Sequence, residues 1–190
     1  MYQFRLCTRA DAVSVRDIFK YYIEETAITF EMVLPSVEEF EQRITTVMEQ
    51  FPWIVVTKDQ QLVGFAYGAK HRVRQAYQWC TELSVYVIPE FQKEGLAKHL
   101  YNGLFLLLKE QGFFNAYAGI TLPNDKSLQF HKRLGFIEIA KYQNIGWKLG
   151  AWHDVIWCHK RIQQYTDNPP IPIGPLSLEK DKVQEILAKL

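Results

Sequence analysis

Three clusters of residues in this chain have the types and spacing to do chemistry. The first is Gln92-x-x-Gly95-x-Ala97, a glycine-centred turn between an apolar run that stops at Pro89 and a segment with helical periodicity. At such a turn the backbone N–H groups from Gln92 to Ala97 have no intrahelical partners. Together with the helix dipole they converge on a spot that suits an anion, above all a phosphate. Lys93 and Lys98 supply positive charge beside it. Glu94, whose carboxylate favours a first helical turn by about 0.3–1 kcal/mol, is expected to point to solvent. The partner expected here is a phosphorylated cofactor. Neither G-x-x-x-x-G-K-[ST] nor a G-x-G-x-x-G after a strand occurs, which excludes two other phosphate-binding turns.

The second cluster lies just upstream, in Glu82-Leu-Ser-Val-Tyr-Val87. A strand period of two puts Glu82, Ser84 and Tyr86 on one face and the apolar Leu83, Val85 and Val87 on the other. The third is Asn124-x-x-Ser127-x-x-x-His131-x-x-x-Gly135-Phe136. At helical spacing Asn124, Ser127 and His131 share a face, and Gly135 ends the helix. A lone histidine on a short helix is more often a surface or satisfied core residue than a functional one, so its weight comes from its neighbours.

These clusters need elements to position them, and the chain reads as strands alternating with helices. Tyr2 to Cys7 is a first strand, and Asp11 can cap a helix with Val15, Ile18, Phe19 and Tyr22 inward. A loop through Ala27–Glu31 follows. Pro35-Ser36-Val37-Glu38-Glu39 is a capping-box start for a helix from Val37 to about Gln50. Phe51–Val56 and Gln61–Ala69 form a hairpin turned at Lys58–Gln60. The basic, aromatic stretch His71–Gln78 enters the strand Trp79–Ile88. A helix from Gly95 to about Glu110 then turns Leu96, Leu100, Leu104 and Leu107 inward. Phe114–Thr121 is a strand and Asn124–Arg133 a short helix. Phe136–Trp147 and Ala151–Arg161 close as an antiparallel pair turned at Leu149-Gly150. Residues 1–165 thus read as one domain, and 166–190 as a proline-rich linker and helical tail. The tail stripe Val183, Ile186, Leu187 and Leu190 either docks on its own domain or makes a dimer contact, because so short a helix is marginal in water without a partner.

The turn and the histidine helix, in this order, resemble the Q/R-x-x-G-x-G/A and N-x-x-A/S-x-x-x-Y-x-x-x-G-F motifs of the GNAT superfamily of acyl-CoA-dependent N-acyltransferases. Here Ala97 stands for the second glycine, Glu94 where a basic residue is common, and His131 for the tyrosine. Ala76-Tyr77-Gln78-Trp79, Glu82–Val87, Leu122-Pro123-Asn124, His131 and Trp147-Lys148-x-Gly150-x-Trp152-His153-Asp154-Val155 together look like the phosphinothricin/methionine sulfoximine N-acetyltransferases, from Arg5 to Trp157. The resemblance implies a mixed α/β (α+β) fold with a central, mostly antiparallel sheet flanked by helices and splayed near Glu82–Ile88, where acetyl-CoA is held. It assigns the pyrophosphate to the turn residues Gln92, Lys93, Glu94, Gly95, Leu96, Ala97 and Lys98. It pairs the backbone of Val85, Tyr86 and Val87 with the pantetheine arm, and brings Asn124 and Ser127 to the cofactor from the other side. No metal is implied, and His71, His99 and His159 show no metal-ligand spacing.

The implied reaction is attack of a neutral amine on the thioester carbon. Deprotonating an α-amine of pKa about 8 costs roughly 1.4 kcal/mol at pH 7, and a lysine-like amine of pKa about 10.4 nearer 5 kcal/mol, so a positioned base is useful. By resemblance Glu82 is that base, against the plain alternative of a solvated edge-strand carboxylate. His131 is either a second base or the donor to the departing thiolate. The acceptor wall is expected from Phe30, Glu31 and Arg72–Tyr77: Glu31 for the ammonium, Arg72 or Arg74 for an acidic group held bidentately, and Tyr77 beside them. Two arginines before a strand also read as a solvated turn. The expected function is N-acetylation of the α-amine of a small acidic amino acid or analogue, such as phosphinothricin or methionine sulfoximine, in a direct ternary complex. The rivals are a peptide or protein N-terminal acetyltransferase, which needs an open groove, and a non-catalytic acyl-CoA sensor, which Glu82 and His131 disfavour.

Composition agrees. The 190 residues are 48% hydrophobic with a net charge of +1, which argues against a nucleic-acid partner. No run approaches the ~18 apolar residues of a membrane span. Cys7, Cys80 and Cys158 are widely spaced and read as buried reduced thiols, and the N-terminus carries no export pattern, so a cytoplasmic protein is expected. The aromatic closing strands and the resemblance favour a homodimer. His153 and Asp154 lack a nucleophile-elbow serine or cysteine and are assigned a structural hydrogen bond.

Overall fold

Alternating strands in the middle of a sheet need an apolar layer on each side, and the helices of this chain supply both. In the computed structural model, which describes residues 1–190, the elements are β1 (Tyr2–Leu6), α1 (Ala12–Glu24), α2 (Val37–Met48), β2 (Trp53–Lys58), β3 (Gln61–Lys70), β4 (Cys80–Val87), α3 (Leu96–Gln111), β5 (Asn115–Thr121), α4 (Asp125–Arg133), β6 (Ile137–Lys148), β7 (Ala151–Arg161) and α5 (Lys180–Ala188). The seven strands form one sheet in the order β1-β2-β3-β4-β5-β7-β6. Every junction is antiparallel except β4–β5.

On one face, Ile54, Val56, Val63, Leu83 and Val87 pack with Leu100, Leu104 and Leu107 of α3 and with Ile186 of α5. On the other, Val55, Phe65 and Tyr86 pack with Phe19 of α1 and Phe40 and Ile44 of α2. Burying each of the large apolar side chains is worth about 1.5–3 kcal/mol, so the strand period is strongly held. Ser36 and Glu39 close the capping box of α2 reciprocally, at 3.2 Å from Glu39 N to Ser36 Oγ and 2.6 Å from Ser36 N to Glu39 Oε2. Asp11 behaves differently from the expectation. Its side chain does not cap α1; the carboxylate is taken by the Arg5 guanidinium at 2.6 and 2.7 Å and by the Thr8 N–H at 2.8 Å, which fix a short 3-10 turn ahead of the helix.

The tail docks on its own domain. Val183, Ile186 and Leu187 enter the α3 core. The Gln111 side chain, buried at the end of α3, donates to the carbonyls of Gln50 (3.0 Å) and Ile173 (2.6 Å), and Trp79 Nε1 donates to the Pro170 carbonyl at 2.7 Å. No helix is long and apolar enough to cross a membrane.

The sheet feature that matters most is the brevity of the one parallel junction. β4 and β5 pair only at Cys80–Asn115, Thr81–Ala116 and Glu82–Tyr117, although β4 stays paired with β3 through Val87. Beyond Glu82 the two strands part, and the outer edge of β4 has no strand partner.

Candidate active site

The parting of β4 and β5 opens the sheet from face to face. The resulting cavity, of about 450 Å³, is lined by Tyr67, Ser84 and Tyr86 from the α1/α2 side and by Tyr101 and His131 from the α3/α4 side, with Glu82 between them. Side chains that the sheet would otherwise separate meet there because no strand intervenes.

Glu82 is the last residue of β4 with a partner on β5, and its carboxylate is half-buried. Burial pushes its pKa above the ordinary carboxylate value, while the positive charge of Arg72 works the other way. His71 Nδ1 lies 3.6 Å from Glu82 Oε2.

His131 is buried on α4. Its Nδ1 lies 2.8 Å from the Ser127 carbonyl, which can only accept, so the proton sits on Nδ1 and Nε2 carries the lone pair. The Tyr101 hydroxyl lies 3.1 Å from that Nε2 and is therefore the donor. Burial lowers the histidine pKa, with the Ser127 carbonyl opposing, so the imidazole is neutral at neutral pH. Tyr101 is raised by burial and next by the negative charge of Glu82, so it keeps its proton. Tyr101 was not among the residues expected from sequence; its position on the buried face of α3 reads as core, and only the parting of the strands exposes its hydroxyl to the cavity. Ser127 lines the same cavity with its hydroxyl 3.3 Å from His131 Nδ1. Asn124 caps α4, its Oδ1 accepting from Ser127 N at 3.1 Å.

At the glycine turn, Gly95 has φ +79° and nothing lies within 4 Å of the position a Cβ would take. No side chain caps α3, so its first-turn amides have no side-chain partner, and Lys98 N bonds the Gly95 carbonyl at 3.0 Å. Leu96 is buried in the core, Ala97 is partly buried, and Lys93 and Lys98 are exposed without ion-pair partners. Glu94 is exposed, as expected, and its carboxylate takes the Tyr2 hydroxyl and lies 3.9 Å from Lys58 Nζ. Gln92 donates to the Tyr22 hydroxyl (3.2 Å) and to the Val87 carbonyl (3.4 Å), tying the turn to β4.

The register sorts the β4 backbone. Ile88 N bonds Val63 O on β3, so by antiparallel alternation Tyr86 and Ser84 also face β3, and Val87, Val85 and Leu83 face the opening. The Tyr22 hydroxyl occupies both the Val87 carbonyl (2.6 Å) and its N–H (3.2 Å). Of the expected trio, Val85 is thus the residue whose backbone is open, and the Tyr86 side chain is core.

The acceptor-side residues divide. Phe30 and Arg72 line the cavity, and the Phe30 ring occupies the space a side chain would need at Gly146 of β6, 2.3 Å from the Cβ position. Glu31 instead forms a bidentate pair with Arg43 of α2 at 2.7 and 3.1 Å, so the guanidinium already neutralises the carboxylate expected to meet an ammonium. Arg74 and Tyr77 line a separate cavity of about 360 Å³ beside the tail, which Arg72 also borders. Lys148, buried at the end of β6, donates to the Thr29 carbonyl at 2.7 Å and clasps the Phe30 loop. Burial lowers its pKa, with Glu31 opposing. His153 reaches the Lys148 (3.0 Å) and Leu122 (3.3 Å) carbonyls, while Asp154 binds Lys141 (2.8 Å) and Asn144 N (2.8 Å). Adjacent on β7, the two project to opposite faces and do not bond each other.

Comparison with known proteins identifies the fold and the family. Residues 4–157 match the family described as "Acetyltransferase (GNAT) domain". A phosphinothricin N-acetyltransferase of Streptomyces viridochromogenes is 32% identical over 175 residues, covering 92% of this chain and 94% of the relative. An L-methionine sulfoximine/L-methionine sulfone acetyltransferase of Salmonella typhimurium is 24% identical over 162 residues, 85% of this chain and 95% of the relative. The structure of a GNAT superfamily phosphinothricin acetyltransferase from Sinorhizobium meliloti, in complex with AcCoA, superposes with a TM-score of 0.86 at 27% identity, over 93% of this chain and 97% of that one. A sheet opened beside an uncapped helix start, matched over most of its length by proteins of one kind, leads to one conclusion: the chain belongs to the GNAT acetyltransferase family.

Proposed function

We propose that the protein transfers the acetyl group of acetyl-CoA to the α-amine of a small acidic amino acid or analogue, of the phosphinothricin or methionine sulfoximine type, by direct attack in a ternary complex. The observation that carries this reading is the opening between β4 and β5, which brings Glu82 from one strand edge and Tyr101 and His131 from the helices into one cavity.

The residues fit an acyl-CoA. The uncapped start of α3 behind Gly95, with Lys93 and Lys98 beside it, suits a pyrophosphate, and the open backbone of Val85 suits an extended amide chain. When bound, acetyl-CoA supplies the activated acyl thioester. Glu82 takes the proton of the incoming ammonium; its raised pKa brings it nearer to neutrality and makes it a better base than an exposed carboxylate. Arg72 offers a guanidinium to an acidic group of the acceptor. Neutral His131 has no proton on Nε2 to give; it accepts from Tyr101 and so fixes that hydroxyl in the cavity, while the proton that Glu82 takes from the ammonium passes to water and the departing thiolate takes one from water.

The same reading includes a homodimer. β6 is an edge strand that exposes Ile137, Ile139, Ile145 and Trp147, an unpaired apolar edge of the kind that soluble proteins cover. Sedimentation should return twice the chain mass; a monomer at all concentrations refutes it. The free thiols Cys7, Cys80 and Cys158 support a reducing, cytoplasmic setting.

A thiol-release assay with acetyl-CoA and a panel of amino acids, peptides and amines tests the function. Turnover should concentrate on phosphinothricin-like acceptors, and coenzyme binding without turnover of any amine refutes it. Glu82→Gln should lower kcat by about 10²–10⁴ and abolish the acid limb of the rate profile.

A further inference from the structure

His71 follows β3 and stands behind Glu82, outside the set of residues assigned above to the reaction. Its ring lies parallel to Tyr117 (centroids 4.2 Å apart, 4° between planes) and edge-on to Trp157 (5.3 Å, 68°), which fixes the plane of the ring. Its side chain is 10% exposed. Nδ1 is buried with no hydrogen-bond partner, whereas Nε2 is not among the buried unpaired atoms. Glu82 Oε2 lies 3.6 Å from that orphaned nitrogen. A buried ring nitrogen without a partner is unfavourable, and catalytic hydrogen bonds are often longer before substrate binds than in the complex.

We propose that His71 is a positioning residue for Glu82, its Nδ1–H donating to the carboxylate and holding it aimed and in the ionised form that accepts the amine proton. The proposal rests on the reading of Glu82 as the base. A neutral imidazole carries one N–H. Placed on Nε2, it leaves the Nδ1 lone pair against a carboxylate; placed on Nδ1, it turns repulsion into a charge-assisted bond. Burial, helped by the charge of Arg72, keeps His71 neutral.

The other titratable groups around the pair do not compete for this role. Tyr67 from β3, Tyr101 from α3 and Tyr117 from β5 are all raised by burial and stay protonated. His131 from α4 and, behind Tyr117, His159 from β7 are lowered by burial and stay neutral. Arg72 is a fixed cation that the variants below leave in place.

The test is the pH profile of kcat/KM for wild type, His71→Phe, His71→Leu and His71→Asn, with thermal melts alongside. Phe keeps the stacked ring without the donor. Asn and Leu are isosteric and both lose the ring, but Asn keeps an amide N–H near the Nδ1 position. The acid limb should move to higher pH by about one pH unit in the Phe and Leu variants, a tenfold loss on that limb, and stay near the wild-type position in Asn. Phe and Leu profiles that superpose on wild type overturn the proposal, and so does an equal displacement in all three, which marks a packing role. If Phe or Leu does not fold, the other decides. ¹⁵N spectra of the wild-type histidines give a reading free of variants: His71 should be the Nδ1–H tautomer, and an Nε2–H tautomer overturns the proposal. Glu82→Gln separates the two levels. An acid limb that survives in Glu82→Gln removes both the base and its positioning residue, while a limb lost there but unmoved in His71→Phe and His71→Leu removes only His71.

Discussion

Replacing Gly95 separates cofactor binding from folding. With φ +79° the residue sits where an L side chain costs about 1–2 kcal/mol, but no heavy atom lies within 4 Å of the added Cβ, so there is no clash to add. In a chain of 190 residues that cost lowers Tm by roughly 2–8 °C. Gly95→Ala and Gly95→Leu share this backbone cost. Leu additionally puts a bulky side chain into the open space at the turn, next to the first-turn amides of α3 in sequence. Losing one charge-assisted amide bond to a pyrophosphate costs about 1.5–3 kcal/mol, or roughly 10- to 150-fold in Kd. The assay is calorimetric titration of CoA into both variants, with S-acetyl-pantetheine, which lacks the pyrophosphate, as control, and a thermal melt of each protein. The expected pattern is similar melts, a much weaker CoA affinity for Leu than for Ala, and no matching loss for acetyl-pantetheine. Equal CoA affinity in the two variants, or equal losses for both ligands, refutes the anion turn.

Three further outcomes follow from the same geometry. Tyr101→Phe removes the donor to His131 Nε2; stability should fall by about 1–3 kcal/mol and kcat should fall with it, and an unchanged kcat in single-turnover measurements removes the Tyr101–His131 pair from the reaction. Gly146→Ala places a methyl 2.3 Å from the Phe30 ring, so the loop must move; KM for the acceptor should rise several-fold while KM for acetyl-CoA holds, and an unchanged acceptor KM separates Phe30 from the acceptor. Burial alone would raise the pKa of Asp11, but the bonds from Arg5 and Thr8 outweigh it and lower it. Its stabilising effect is therefore full above the unfolded carboxylate pKa and is lost as pH falls through the lower folded one. Asp11→Asn should cost roughly 1–2 kcal/mol at pH 7, discounted because Arg5 faces water; urea titrations should show the difference shrinking below pH ~4, and a difference that grows there contradicts the sign.

Much of this protein was legible from the chain alone, because periodicity and punctuation are local. Apolar residues recurring along Val15–Tyr22 and Leu96–Leu107 marked helices, alternation in Leu83–Val87 marked a strand with two faces, and Gly95, Gly135 and Gly150 marked the turns. The order of the turn and the histidine helix was enough to name a family. What the chain could not show depends on distant partners. The Glu31 carboxylate was free on paper and is held by Arg43, and Glu94 is turned to Tyr2 and Lys58. His131 reads as an acid–base group in sequence, yet a carbonyl on its own helix and the Tyr101 hydroxyl from α3 decide which nitrogen carries the proton. Tyr101 and His71 had no signal of their own, since a tyrosine among leucines and a histidine beside arginines look like core and solvated turn. Sequence determines which face of each element is apolar, since that follows from spacing. Which side chains share a cavity is decided only when β4 and β5 part after Glu82, because hydrogen-bond register, burial and proton placement are properties of neighbours far apart along the chain.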